Sequence, residues 1–228
     1  METADPVVAL TFDDGPDPEW TPRLLEILEQ HDARGTFFMI GEQATKYPEL
    51  VARVASGGHA IGNHSWDHAS FPLLSREQRF GQLRRCSETL GRHAGRMFRP
   101  PYGHQDNRSR FDLTLAGYDV VTWSVIEPDW LDRDAEGIVA GIAKKIRPGA
   151  IVLLHDTLHD ALQPEYFNRE ATLNAVQLLL ERMRSSLQFV TVPELLRYGP
   201  ARTIVWNQPP DIEFLKQLKN KAGIVRTY

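Results

Sequence analysis

The sequence predicts an α/β fold built on a parallel sheet, open or closed into a barrel. Three observations predict it. Short apolar, β-branched or aromatic runs alternate with segments of helical period. The helical segments carry start and stop residues at their ends. The residues able to do chemistry fall at the C-terminal ends of the apolar runs, where parallel α/β folds build their sites.

The strand candidates are "VVALTF" (7–12), "TFFMI" (36–40), "HAIGNH" (59–64), "MFRP" (97–100), "VVTWSV" (120–125), "AIVLLH" (150–155) and "FVTV" (189–192). Between them lie helical patterns at 21–32, 47–58, 76–93, 109–117, 135–146 and 171–186, with apolar residues three and four apart. Thr21-Pro22 suits an N-cap followed by the first helical position. Gly35, Gly57, Gly58, Gly91 and Gly117 stand just after helical patterns, where a left-handed residue is wanted. Pro200 and Pro209-Pro210 break the pattern, and 211–223 reads as a short amphipathic helix. We therefore expect one main domain over 1–198 and an extension, 199–228, that packs on it.

A chain of 228 residues supports one sizeable core. A net charge of −4 without a basic stripe argues against nucleic acid as a partner. The single cysteine, Cys86, excludes an intrachain disulfide and falls in a helical pattern, where it reads as a small buried hydrophobe. No stretch reaches the roughly 18–20 apolar residues of a membrane span. The opening "METADPVV" lacks the basic and apolar regions of a leader. A cytoplasmic protein and an exported one already freed of its leader both fit, and a monomer is expected.

The first strand candidate runs into two adjacent carboxylates, Asp13 and Asp14. Alone, Asp-Asp-Gly reads as a turn with an Asx cap. His64 and His68 follow the third candidate, and a spacing of four places two imidazoles on one face of a helical turn. Asp14 completes a His, His, Asp set that leaves positions open, the mark of a catalytic zinc site. One carboxylate then binds the metal while the other takes a proton from water activated there. His155 ends a continuous apolar run and reads as a general acid or as a satisfied core histidine. Asp129 is placed to hold such a histidine protonated. Arg99 reads either as the partner of a nearby carboxylate or as a surface ion pair. Trp130 and Tyr102 suit the wall of a sugar site, whereas Trp123 reads as ordinary packing. No dinucleotide fingerprint, Walker loop or G-x-S-x-G elbow is present. Of two N-x-S matches, at Asn63 and Asn107, the first adjoins His64 and is taken as chance.

Five motifs in order, "TFDDGP" (11–16), "HSWDH" (64–68), "RPPYG" (99–103), "PDW" (128–130) and "LLH" (153–155), together with "GTFFMIG" (35–41), make the sequence resemble the polysaccharide deacetylases. These are the NodB-type domains of carbohydrate esterase family four, and the resemblance spans about residues 6–198. It implies a distorted, incomplete (β/α) barrel of about seven parallel strands. It implies zinc, or another divalent metal such as cobalt, nickel or manganese, held by Asp14, His64 and His68. Asp13 becomes the general base and His155 the general acid. Arg99 positions Asp13, and Asp129 tunes His155. The Tyr102 backbone N–H stabilises the oxyanion, Leu153 lines the acetyl-methyl pocket, and Trp130 shapes the groove. The reaction implied is removal of N-acetyl groups from an acetylated glycan such as chitin oligomers or peptidoglycan. An O-acetyl esterase acting on xylan, an amidase for a non-carbohydrate substrate and an inactive glycan-binding homologue are the rivals. One departure stands out. The fourth motif usually reads D-x-x-D-W, and here Ile126 takes the first position with Glu127 beside it. Loops 103–112 and 157–170 are the candidates for setting substrate preference, the second by capping one end of the groove.

Overall fold

The computed structural model describes residues 1–131 and 134–220. Its central strand, β1 (Val7–Asp13), is buried along its whole length, as expected of a parallel strand covered on both faces. The remaining strands are β2 (Gly35–Met39), β3 (Ala60–Asn63), β4 (Ala94–Phe98), β5 (Asp119–Val120), β6 (Val125–Ile126), β7 (Ile151–His155) and β8 (Gln188–Phe189). Every pairing is parallel, in the order β5-β4-β3-β2-β1-β7-β6, and β8 pairs separately with the start of β1. Helices α1 (Trp20–Gln30), α2 (Gly41–Lys46), α3 (Pro48–Ser56), α4 (Arg76–Leu90), α5 (Asn107–Leu115), α6 (Ala135–Lys145), α7 (Glu170–Met183), α8 (Val192–Leu195) and α9 (Ile212–Asn220), with short 3-10 turns at Phe71–Leu73, Gly91–His93, Pro101–Gly103 and Pro164–Phe167, complete the described elements. The seven strands of that continuous order curl into an incomplete (β/α) barrel.

Side-chain alternation along β1 sorts the core into two layers. Val8, Leu10 and Phe12 point outward into the main core with Leu24 and Leu28 of α1 and Val176 and Leu179 of α7. Each such fully buried side chain contributes about 1.5–3 kcal/mol. Val7 and Ala9 point into the barrel, where Phe38, Met97, Val190, Val192 and Leu195 fill the lower interior. The next inward positions, Thr11 and Asp13, are polar and buried. The barrel interior therefore changes from apolar to polar at the C-terminal ends of its strands.

The single strand expected at 120–125 is two. Val120 pairs with Phe98 of β4 at one edge of the sheet, whereas Val125 pairs with Val152 of β7 at the other. Residues 121–124 cross the gap between the edges, and their carbonyls need partners there. Arg99, with 0% of its surface exposed, supplies them. Its Nε donates to the Val121 carbonyl (3.1 Å) and one terminal nitrogen to that of Thr122 (3.4 Å). The other terminal nitrogen donates to Thr11 Oγ1 (2.7 Å) and Asp13 Oδ1 (2.8 Å) on β1. The guanidinium lies 4.1 Å from the Phe38 ring centroid. A surface ion pair is thus not what Arg99 makes.

Other local expectations are corrected too. Asp17, rather than Thr21, caps α1: its Oδ1 accepts the N–H groups of Glu19 and Trp20. Thr21 is buried and donates instead to Asp156. Gly58, Gly91 and Gly117 do take the left-handed conformation, but Gly35 opens β2 and Gly57 keeps a negative φ. Asn63 is buried, with its amide on the Leu83 carbonyl, which agrees with a chance N-x-S match. Cys86 is buried and burial pushes its thiol up to about 12. The predicted helix at 211–223 is observed over Ile212–Asn220, and its remainder lies outside the described residues.

Arg99→Leu is expected to lower stability by about 3–5 kcal/mol, because it leaves Asp13 buried without its cationic partner. Urea unfolding monitored by tryptophan fluorescence measures this as a lower midpoint; an unchanged midpoint contradicts the closing role given to Arg99.

Candidate active site

The strands β1, β3, β4 and β7 deliver Asp13, Asp14, His64, Arg99 and His155 to one end of the barrel. His64 and His68 are not on a helical turn. They lie in a loop after β3 in which Ser65 and His68 adopt positive φ (69° and 60°). That loop folds the two rings to within 5.0 Å of each other. Asp14 also has positive φ (77°), which swings its carboxylate back toward them at the strand end.

The tautomer of each imidazole follows from its other contact. His64 Nδ1 lies 2.8 Å from the Arg99 carbonyl oxygen, which only accepts, so Nδ1 carries the proton and Nε2 presents a lone pair. His68 Nδ1 lies 3.2 Å from Asp160 Oδ2, which fixes that ring in the same sense. Both Nε2 atoms stand 3.3 Å from Asp14 Oδ1. Asp14 Oδ2 accepts the backbone N–H of His159 (2.9 Å), while Oδ1 is buried without a hydrogen bond. A buried, unpartnered carboxylate oxygen facing two imidazole lone pairs fits a divalent cation. The ligand atoms of Asp14, His64 and His68 all lie within 4.8 Å of one another. Burial alone raises the Asp14 carboxyl, but when the facing imidazoles are protonated the His68 charge, the His64 hydrogen bond and the His155 charge outweigh it and hold the group well below the carboxylate range.

Asp13 is treated differently. Its Oδ1 takes the Arg99 bond, and its Oδ2 lies 3.9 Å from His64 Nε2, on the same side as the ligand cluster. Asp129 grips His155 twice. Oδ2 accepts the His155 backbone N–H (2.9 Å), and Oδ1 lies 2.8 Å from Nδ1. Burial lowers the His155 imidazolium, but the Asp129 charge and hydrogen bond prevail and raise it to about 9. Trp130 stands edge-on to His155 with ring centroids 5.4 Å apart. Leu153 lines the same pocket, as do Tyr102 and Trp130.

Several pocket residues were not singled out from the sequence. Trp123, expected as packing, lines the pocket. Asp160 accepts from Tyr102 Oη (2.5 Å) as well as facing His68. Its only sequence signal is its place in the long polar loop after β7, whose Leu158, Leu162 and Tyr166 also reach the pocket. Arg169 is buried and donates to the Asp129 carbonyl (2.9 Å), so the acid's partner is held from behind by the residue that precedes α7. Glu127 follows the position of the missing motif aspartate. It turns toward α6, against Gly141, and pairs with Lys145 (2.7 Å), while Ile126 faces the pocket.

The model of the polysaccharide deacetylase family matches residues 1–121 of this chain. The chain belongs to the polysaccharide deacetylase family. It is 34% identical over 200 residues to a peptidoglycan-N-acetylglucosamine deacetylase of Bacillus cereus, covering 86% of this chain and 70% of that one. It is 39% identical over 153 residues to a chitooligosaccharide deacetylase of Azorhizobium caulinodans, covering 65% and 73% of the two chains. A crystal structure of a peptidoglycan N-acetylglucosamine deacetylase superposes with a TM-score of 0.78 at 32% identity, covering 88% of this chain and 92% of the other. Among the described residues of this deacetylase, no helix is long and apolar enough to cross a membrane.

His155 has a folded value above its ordinary 6.5, so the stabilisation from its pair with Asp129 is complete below pH 6.5 and is lost as pH rises to about 9. The difference corresponds to about 3 kcal/mol. Asp129→Asn is expected to lower the His155 titration midpoint by at least ~1 pH unit, read from the imidazole proton resonance. An unchanged midpoint contradicts the pairing.

Proposed function

We propose that this deacetylase removes N-acetyl groups from N-acetylglucosamine-containing glycans, chitin oligomers or peptidoglycan, with a divalent cation held by Asp14, His64 and His68. The observation that carries the proposal is the unlike treatment of adjacent carboxylates: Asp14 Oδ1 is left to two imidazole lone pairs, while Asp13 is held by Arg99. The names of the relatives, which act on peptidoglycan N-acetylglucosamine and chitooligosaccharides, support the substrate class.

A cation held there by Asp14, His64 and His68 would supply Lewis acidity, to the acyl oxygen and to water. Asp13 Oδ2 accepts the proton of the attacking water, and Arg99 fixes the Asp13 rotamer. The Tyr102 backbone N–H donates to the acyl oxygen as negative charge develops there. His155, protonated at neutral pH, gives its Nε2 proton to the departing amine. Leu153 faces the acetyl methyl, and Trp130 borders the sugar. An amine leaves only when protonated, whereas an alkoxide leaves more readily, so amide cleavage depends on the Asp129-charged His155 more than ester cleavage does.

Acetate release tests this reading. Chitooligosaccharides, peptidoglycan fragments and acetylated xylan are offered side by side to metal-reconstituted and chelator-treated protein. Metal-dependent release from the amino-sugar substrates is expected; release from xylan alone overturns the N-deacetylase reading. Asp13→Asn is expected to lower kcat at least ~10²-fold while glycan binding persists. Near-normal turnover in that variant removes Asp13 as the base.

A further inference from the structure

The turn that carries the proposed oxyanion donor is strained. Tyr102 has φ 57° and ψ 7°, and Gly103 follows at φ +70°. A left-handed tyrosine persists only where its surroundings over-determine it. Much of that determination comes from far along the chain. Trp206 Nε1 donates to the Gly103 carbonyl (2.8 Å), and Gln208 Nε2 to that of Tyr102 (3.3 Å). The Gln208 backbone exchanges two hydrogen bonds with Gln105 (2.8 and 3.0 Å) as an antiparallel bridge. A Cβ on Gly103 would lie 2.8 Å from the Trp123 ring and 3.0 Å from Gln208 Oε1, so the segment closes on the turn without spare room. Trp206 meets Trp123 edge to face at 5.1 Å, which links the turn to the residues crossing the barrel gap. Beyond Gln208, Asp211 and Phe214 line the catalytic pocket. The Asp211 N–H reaches His104 Nε2 (3.4 Å), and the Phe214 ring stands 6.1 Å from that of Tyr102.

We infer that the C-terminal segment is part of the active site, with Trp206 and Gln208 as positioning residues for the Tyr102–Gly103 turn. They hold the Tyr102 and Gly103 carbonyls, and so keep Tyr102 in the left-handed conformation on which the direction of its N–H depends. The catalytic consequence rests on the oxyanion role proposed above for that N–H; the positioning itself does not.

The test uses Trp206→Phe and Gln208→Met in the full chain, two variants that remove a donor while keeping side-chain bulk. Hydrogen exchange of the peptide spanning 101–105 is expected to quicken about threefold to tenfold in each, with the β1 amides unchanged. On an amino-sugar substrate, kcat is expected to fall about tenfold with KM within about twofold of wild type. Exchange and kcat both unmoved in the two variants overturn the inference. Loss of β1 protection together with a parallel change in kcat and KM also overturns it, because that is general destabilisation. Absent turnover in the wild type counts against the deacetylase reading alone, since the exchange measurement decides the positioning role without a substrate.

Discussion

One guanidinium stands where the barrel fails to close. Arg99 joins β1 to the two carbonyls of the segment that bridges the sheet edges, and it donates to Asp13 from the same group. A lysine has one compact point charge and cannot present this fork. Closure of the fold and placement of the proposed base are therefore one event. The Arg99 backbone adds a third role, because its carbonyl sets the His64 tautomer. A perturbation at this residue acts on the sheet gap, the base and a metal-ligand candidate together.

From that anchor the two carboxylates at the end of β1 diverge. Asp13 continues the strand alternation, points into the barrel and meets Arg99. Asp14 leaves the strand in a left-handed conformation and is met by the His159 N–H and the two imidazoles. Like charges so close are tolerated because each has its own compensating partner. Gly15 lets this corner form, since a Cβ there would fall 2.3 Å from the buried Asp156 carboxylate. Burial raises Asp156 to about 7, so near neutral pH this carboxyl adds less than a full charge beside the pair.

The fold and the metal-ligand candidates were legible because strand alternation and strand-end chemistry are local signals. Thr11 and Asp13 on β1, Leu153 and His155 on β7, each follow from a period of two. What was hidden depends on partners distant in sequence. The split of 120–125 is invisible in a continuous β-branched run, since it is set by which edge each half meets. The left-handed turn at His68 defeats a spacing rule based on helices. Asp160 acts through a single side-chain oxygen and Arg169 through backbone carbonyls, and neither leaves a periodic trace. Trp206 and Gln208 contact residues about a hundred positions earlier, from an extension whose sequence says that it packs on the domain but not where.

The division of labour between Asp13 and Asp14 is the claim on which the mechanism stands. Equilibrium zinc titration of Asp13→Asn and Asp14→Asn, side by side with wild type, tests it most directly. Asp13→Asn is predicted to bind zinc within about threefold of wild type, and Asp14→Asn at least ~10²-fold more weakly. Equal weakening in both variants, or none in Asp14→Asn, would contradict the assignment of one carboxylate to the cation and the other to the proton.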